Sequence, residues 1–68
     1  MTALTKRQRE IVVLLVEGKT YAEIADAVAL SRATVRAYVE RLAGRLPGDG
    51  APLRRVMVHA RELLAKSA

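Results

Sequence analysis

Cysteine, phenylalanine and tryptophan are all missing from this chain of 68 residues. Without cysteine there is no disulfide, no thiolate metal ligand and no cysteine nucleophile. Without the two large aromatic residues, the core must be built from Leu, Val, Ile and Ala, which suits packed helices. Hydrophobic residues nevertheless make up 51% of the chain, so a disordered tail is excluded. A chain this short forms at most one domain, which we place at 1–68.

Long hydrophobic runs are missing too. The longest apolar run extends from Ile11 to Val16, far short of the roughly 20 residues that a membrane-spanning helix requires. Lys6, Arg7 and Arg9 interrupt the N-terminal region, which therefore does not have the pattern of a signal peptide. We expect a cytoplasmic protein without a membrane partner, and its compact basic character indicates a bacterium or a phage.

Patterns that carry catalysis are also missing. The sequence has no Ser-His-Asp set, no glycine-rich phosphate loop and no HExxH motif. His59 is the single histidine, which argues against a metal site. We therefore expect no enzyme, no cofactor, no metal and no small-molecule ligand.

The charge balance is strongly basic, with 12 Lys and Arg residues against 7 Asp and Glu residues, a net charge of +5 and a pI near 10.5. A pI above about 9 is typical of a nucleic-acid-binding domain. The same charge would also aid solubility. Charge alone therefore makes DNA binding plausible and no more.

Capping residues and apolar spacing predict an all-α domain of four helices. Thr5 precedes Gln8, and Thr20 precedes Glu23, at the spacing of a capping box. Gly18 is a natural end for the first helix. The predicted bounds are 6–17 for helix 1, 20–28 for helix 2, 31–46 for helix 3 and 53–66 for helix 4.

Apolar residues at helical spacing predict the buried faces. The inner face of helix 1 is predicted to be Leu4, Ile11, Leu14 and Leu15. The stripe of helix 3 is predicted to be Val35, Val39, Leu42 and Leu46. Val13 and Val16 then point away from the core. Isolated exposed valines are normal, and a contact site for polymerase or another regulator is the alternative.

The stretch 20–46 predicts two helices joined by a tight turn at Ala29 and Leu30, which is a helix-turn-helix. A major groove about 12 Å wide accepts one helix. Such a helix needs a capped N-terminus near phosphate, small side chains for close approach, and arginines or polar groups for the base edges. Helix 3 supplies all of these, mainly opposite its apolar stripe, from Ser31, Arg32, Ala33, Arg36, Ala37 and Arg41.

Glu40 lies on the same face of helix 3 and has two interpretations. Its carboxylate can accept a hydrogen bond from cytosine N4. It can also pair with Arg36, one turn earlier, and this is the interpretation that we favour. Either way, a carboxylate that faces phosphates should weaken non-specific binding.

The segments LTKRQREIVVLLVEGKTYAEIA at 4–25 and LSRATVRAYVERLAGRL at 30–46 resemble the LuxR/GerE-type DNA-binding domain. The resemblance is collinear and ungapped from 4 to 46, and it includes Glu10, Gly18, the EIA at 23–25 and the TVR at 34–36. It implies a four-helix domain of a bacterial transcription factor, in which helix 3 recognises DNA and helix 4 makes the dimer contact. Met1 lies three residues before the match, so we expect a stand-alone effector of the GerE type or a trimmed fragment.

The resemblance also implies roles for single residues. Arg36 matches a basic residue that reaches bases or phosphates, and Ala37 matches a position in van der Waals contact with bases. The remaining matched positions contact the DNA backbone, namely Thr20, Ser31, Thr34 and Arg41.

This chain departs from the family pattern at several positions. Tyr21 and Tyr38 stand where the family has Asn and His, and both are expected to donate to phosphate or to pack at the domain edge. Ala22 replaces a lysine, and Glu40 occupies a position that is frequently basic. The segment PGDGAP at 47–52 replaces the family's G-V-x-x-R link.

Helix 4 is apolar over an arc wide enough to cover helices 1 and 3 and to pair with a second copy. The predicted dimer residues are Val56, Met57, Ala60, Leu63 and Leu64, with Val58 and Ala65 beside them. The alternative is that helix 4 only completes the monomer core, and in that interpretation Met57 is a core residue.

We therefore expect a sequence-specific regulator of transcription that binds double-stranded DNA as a homodimer on a palindromic or pseudopalindromic site. One alternative is a protein-interaction module that keeps the fold, has an eroded DNA face and binds RNA polymerase or another regulator. The other is a promoter-binding module like sigma-factor region 4, although helix 4 argues against it.

Overall fold

The computed structural model describes residues 4–67, and within that range it contains four α-helices and no strand. The helices are α1 (Lys6–Val16), α2 (Tyr21–Val28), α3 (Arg32–Ala43) and α4 (Pro52–Ser67). The predicted all-α class with four helices is confirmed. α2 and α4 each pack against both α1 and α3.

Capping boxes begin the first two helices, as predicted. Gln8 N donates to Thr5 Oγ1 over 3.1 Å, and Thr5 N donates to Gln8 Oε1 over 2.9 Å. Glu23 N donates to Thr20 Oγ1 over 3.1 Å, and Thr20 N donates to Glu23 Oε1 over 2.8 Å. These reciprocal bonds satisfy backbone N–H groups that have no partner inside the helix.

Gly18 ends α1, also as predicted. Its φ of +87° is a left-handed conformation that glycine adopts without a steric penalty. Gly18 N donates to Leu15 O over 3.0 Å, and Lys19 N donates to Leu14 O over 3.1 Å. This pair of bonds is a Schellman motif, and it satisfies two carbonyl groups at the end of the helix.

The predicted end of helix 3 at residue 46 is wrong, because α3 ends at Ala43 with Gly44 as its C-cap. Beyond this point the bonds become i to i+3, from Arg45 N to Leu42 O and from Leu46 N to Ala43 O. Glycine is a poor helix former, and a proline at 47 disfavours the helical conformation of the residue before it. Leu46 still packs, half-buried, against the core.

The core contains apolar residues from all four helices. Val12 is fully buried although it lies outside the predicted inner face of α1, while Leu14 is only half-buried. The buried arc of α1 is wider than one stripe because α1 contacts both α2 and α4. The core consists of Ile11, Val12, Leu15, Ile24, Ala25, Val28, Val35, Val39, Leu42, Ala43, Val56 and Ala60.

Two of the predicted dimer residues belong to this core. Val56 is 0% exposed and Ala60 is 3% exposed, so they have no surface to offer a second protomer, and their assignment to a dimer interface is wrong. The expectation that Met57 is a core residue is also wrong, since 41% of it is exposed. The buried side of α4 faces α1 and α3, and Met57 lies about 100° around the helix from Val56.

The link between α3 and α4 is tied to α4 by two side chains. Arg55 donates from Nη1 to Ala43 O over 3.1 Å and from Nη2 to Gly50 O over 3.2 Å. Nε2 of His59 lies 3.2 Å from Pro47 O, which accepts this hydrogen bond when Nε2 carries the proton. The two side chains are four residues apart and therefore share one face of α4.

Candidate nucleic-acid interface

A sharp turn places α3 against α2. Ala29 has φ 58° and ψ 41°, a left-handed conformation that is unusual for a residue other than glycine. Leu30 N donates to Ala25 O over 3.0 Å, which closes the turn, and the half-buried Leu30 side chain packs against the core. The predicted turn of the helix-turn-helix is confirmed at these two residues.

Arg7 stabilises this turn from α1. Its Nη1 donates to Val28 O at the end of α2 over 2.7 Å, and it lies 3.7 Å from a carboxylate oxygen of Glu10. A cation at a helix C-terminus interacts favourably with the helix dipole. No local sequence pattern predicts this contact, because residues 7 and 28 lie on different helices.

The capped N-termini of α2 and α3 lie close together. Ser31 Oγ accepts from Thr34 N over 3.1 Å and lies 2.9 Å from Thr34 Oγ1. Thr20 caps α2 in the same way, and its side chain lines a shallow depression together with Tyr21 and Arg32. The positive ends of two helix dipoles therefore lie beside one surface, and this arrangement favours the binding of a phosphate group.

None of the eleven residues predicted to contact DNA is buried. The half-buried members are Tyr21, Thr34, Ala37 and Tyr38, and the exposed members are Thr20, Ser31, Arg32, Ala33, Arg36, Glu40 and Arg41. Five of them line one open groove on the outer side of α3, namely Tyr21, Arg32, Ala33, Arg36 and Glu40. We call these five residues the α3 groove.

Arg36 and Glu40 form an ion pair in the α3 groove. Arg36 Nε lies 3.5 Å from Glu40 Oε2, and the two side chains are 68% and 53% exposed. The favoured interpretation of Glu40, a pair with Arg36 one turn earlier, is confirmed. Exposed pairs of this kind contribute about 0.2–1 kcal/mol to stability at most, so its main consequence is to orient both side chains on the outer face of α3.

The two tyrosines differ in their surroundings. Burial raises the pKa of the Tyr21 phenol above its usual 10.0, nearby Arg36 opposes that increase and Glu40 adds to it. Tyr21 is therefore a protonated hydrogen-bond donor at neutral pH. Tyr38 packs against the core, and the Arg41 guanidinium carbon lies 5.3 Å from the centroid of its ring. This cation–π contact holds Arg41 at the edge of the face.

A second groove lies between α1 and α2. Val13, Leu14, Ala27 and Val28 form its apolar part, and Lys6, Arg9 and Glu10 lie around it. Val13 is half-buried here rather than pointing outward as expected, whereas Val16 is 52% exposed.

An apolar stripe remains on the surface of α4. Leu53 and Met57 are 40% and 41% exposed, and Leu64 is half-buried. On a helix with 100° per residue, these three positions fall within an arc of about 40° at the edge of the buried face. We call Leu53, Met57 and Leu64 the α4 stripe. Val58, which is 70% exposed, lies about 100° away from Met57 and outside the stripe.

Over residues 4–67, no helix combines the length and the hydropathy that a membrane span requires. The same residues contain no cluster of His, Cys, Asp or Glu that could hold a metal ion.

The fold, the turn and the exposed face of α3 define a helix-turn-helix domain. The family model for bacterial regulatory proteins of the luxR family (GerE) matches residues 2–48, more than half of the chain. The chain therefore belongs to this family, and its domain is a DNA-binding regulatory domain. Comparisons with curated proteins and with solved structures gave no match.

Proposed function

We propose that this protein regulates transcription by binding double-stranded DNA at specific sequences through α3. The observation that carries this proposal is the α3 groove, which gathers Tyr21, Arg32, Ala33, Arg36 and Glu40 on one open surface. Family membership supports the same conclusion, because luxR-family domains belong to regulatory proteins.

The residues divide into two groups by their distance from the centre of the face. Arg36 and Glu40 project outward from the middle of α3, where an inserted helix meets the base edges. Ala33 and Ala37 have side chains small enough for the helix backbone to approach the bases. The groups at the margins would contact phosphates, namely Thr20, Tyr21, Ser31, Arg32, Thr34, Tyr38 and Arg41. Contacts to phosphate position the domain, whereas contacts to bases give specificity.

The proposed active form is a homodimer that pairs through the α4 stripe. Leu53 and Met57 are apolar side chains that remain about 40% exposed after α4 has covered α1 and α3. A chain of this length buries only about 60% of its unfolded surface, so association would add stability as well as a second DNA contact. Two copies related by a twofold axis would bind a palindromic or pseudopalindromic site.

Selection of bound duplexes from a random pool tests the proposal. The wild type should enrich a sequence with two related half-sites, and Arg36→Ala should lose the enrichment while its circular dichroism spectrum and unfolding midpoint stay close to wild type. If the wild type retains duplex but enriches no sequence, that result would contradict sequence-specific binding.

A second candidate function is that of a protein-interaction module, and the groove between α1 and α2 is the observation that favours it. The exposed Val16 lies one turn beyond Val13, which lines that groove. A double variant, Val13→Lys with Val16→Glu, should abolish contact with polymerase or another regulator and leave DNA affinity intact. Unchanged regulation in the double variant would eliminate this candidate.

A further inference from the structure

The ion pair in the α3 groove leaves one edge of Arg36 unused. Arg36 meets Glu40 through Nε, at 3.5 Å from Oε2. Within residues 4–67, no hydrogen bond engages the two terminal nitrogens, Nη1 and Nη2, of Arg36. The outer face of α3 therefore presents a donor edge directly beside an acceptor, and both belong to side chains that are more than half exposed.

A G·C base pair presents the complementary arrangement in the major groove. Guanine offers two neighbouring acceptors, N7 and O6, and cytosine offers the N4 donor beside them. Guanine O6 and cytosine N4 are hydrogen-bonded to each other, at about 2.9 Å. The Arg36 guanidinium and the Glu40 carboxylate are likewise held side by side, by the 3.5 Å contact between Arg36 Nε and Glu40 Oε2. One base pair can therefore meet both side chains without breaking their ion pair.

We infer that Arg36 and Glu40 act as one unit that recognises a single G·C base pair in one orientation, with guanine at Arg36 and cytosine at Glu40. This inference rests on the proposed function and names the base pair that the α3 groove binds. In the reversed pair, Arg36 would face the cytosine donor and Glu40 would face the guanine acceptors, so both contacts would be repulsive.

An A·T pair fits less well for the same reason. Its two acceptors, adenine N7 and thymine O4, lie on either side of the adenine N6 donor. With adenine at Glu40, the carboxylate can accept a hydrogen bond from N6. The Arg36 fork then faces thymine O4 and has no second acceptor beside it. With thymine at Glu40, the carboxylate would also face O4 and the methyl group. Glu40 is thus the specificity-determining residue, because only a G·C pair in this orientation satisfies the Arg36 fork and the Glu40 carboxylate together.

The test measures base preference at each position of the selected site for the wild type, Glu40→Ala and Glu40→Gln. Glu62→Gln is the matched control, since it removes the same charge from an exposed position on α4. The wild type should prefer G·C over the other three pairs by about tenfold or more at one position of each half-site. Glu40→Ala should lose that preference and bind random duplex more tightly than Glu62→Gln does.

A readout on wild-type protein does not depend on how the variants fold. At the predicted position, 7-deazaguanine removes the N7 acceptor, and N4-methylcytosine replaces an N4 hydrogen with a methyl group. Each substitution should weaken binding severalfold there and have less effect at positions that Arg36 and Glu40 do not contact.

The outcomes separate the inference from the proposed function. If the wild type selects a site and Glu40→Ala keeps the same preference at every position, the inference is overturned and the proposed function stands. The same holds if neither modified base weakens wild-type binding at any G·C position. If the wild type shows no preference at any position, the proposed function fails and the inference fails with it.

Discussion

Arg55 Nη1 donates to the carbonyl oxygen of Ala43 over 3.1 Å, so a side chain of α4 caps the last residue of α3. The same guanidinium holds the link through Gly50 O. The cation also lies at the negative end of the α3 dipole. α4 is therefore attached to the recognition helix directly and not only through the chain. In the proposed dimer, this contact would fix the separation between the two α3 helices.

Replacing Arg55 with methionine should remove both hydrogen bonds while keeping much of the aliphatic stem. Nε of Arg55 is buried without a hydrogen-bond partner in the described part of the chain. Methionine removes this buried polar atom, and this gain offsets part of the stability lost with the two hydrogen bonds. We expect the free energy of unfolding to fall by about 1 kcal/mol, less than the roughly 1.5–3 kcal/mol typical of a hydrogen bond to a charged group. Urea denaturation measures it, with the exposed neighbour Arg54→Met as the control. Equal midpoints for the two variants would show that the contact is energetically unimportant.

Ala29→Gly should raise stability or leave it unchanged. An L-residue in the left-handed conformation costs roughly 1–2 kcal/mol, whereas glycine costs only about 0.5–1 kcal/mol in backbone entropy. Since Ala29 has φ 58°, the net change should lie between zero and a gain of about 1.5 kcal/mol. The control Ala27→Gly lies within α2 and should lose about 1 kcal/mol in the same urea experiment. A loss at Ala29 as large as at Ala27 would contradict the proposed strain.

The capping box of α2 should make stability depend on pH. The hydrogen bond from the Thr20 backbone N–H, assisted by the Thr20 side chain, holds the pKa of Glu23 below its usual 4.5; desolvation opposes this shift and Lys19 adds to it. Because the pKa is lower in the folded state, the stabilisation is present above the unfolded pKa and is lost as the pH falls through the folded value. The thermal midpoint of the wild type should exceed that of Glu23→Gln at neutral pH, and the difference should shrink below about pH 4.5. A difference that is constant from pH 7 to pH 3 would refute this role.

The α4 stripe predicts which substitution prevents dimer formation. Met57→Glu places a charge in the centre of the stripe, whereas Val58→Glu places the same charge outside it. Both residues are exposed in the monomer, so neither variant should lose more than a few tenths of a kcal/mol in stability. Sedimentation velocity over a concentration series should show dimers for the wild type and Val58→Glu and monomers for Met57→Glu. A wild type that stays monomeric with and without DNA would mean that α4 only completes the core.

Features set by neighbouring residues could be predicted from the sequence. The capping boxes at Thr5 and Thr20, the end of α1 at Gly18 and the Arg36–Glu40 pair each depend on residues no more than four positions apart. Local hydrogen bonds and helical spacing are sufficient to specify them. The exposed face of α3 followed from the same spacing, because its buried stripe is narrow and regular.

Contacts between distant segments could not be predicted. Arg7 and Val28 are 21 positions apart, and nothing in either segment identifies the other as its partner. Val56 and Met57 are adjacent apolar residues, and only the positions of α1 and α3 decide that the first is buried and the second exposed. A hydrophobic pattern shows that a helix has an apolar arc, but the width of the buried part depends on how many helices pack against it.

If the outer face of α3 binds DNA, its affinity for DNA must depend steeply on salt, and a salt titration measures that dependence. Fluorescence anisotropy with a labelled duplex of the selected sequence gives the slope of log affinity against log salt, which is about −0.9 for each phosphate that the protein neutralises. We expect a steep negative slope for the wild type, and a slope shallower by about one unit per protomer for Arg41→Ala, with Arg61→Ala on α4 as the control of equal charge. Binding that is micromolar or weaker and insensitive to salt would contradict DNA binding by this face and favour the protein-interaction module.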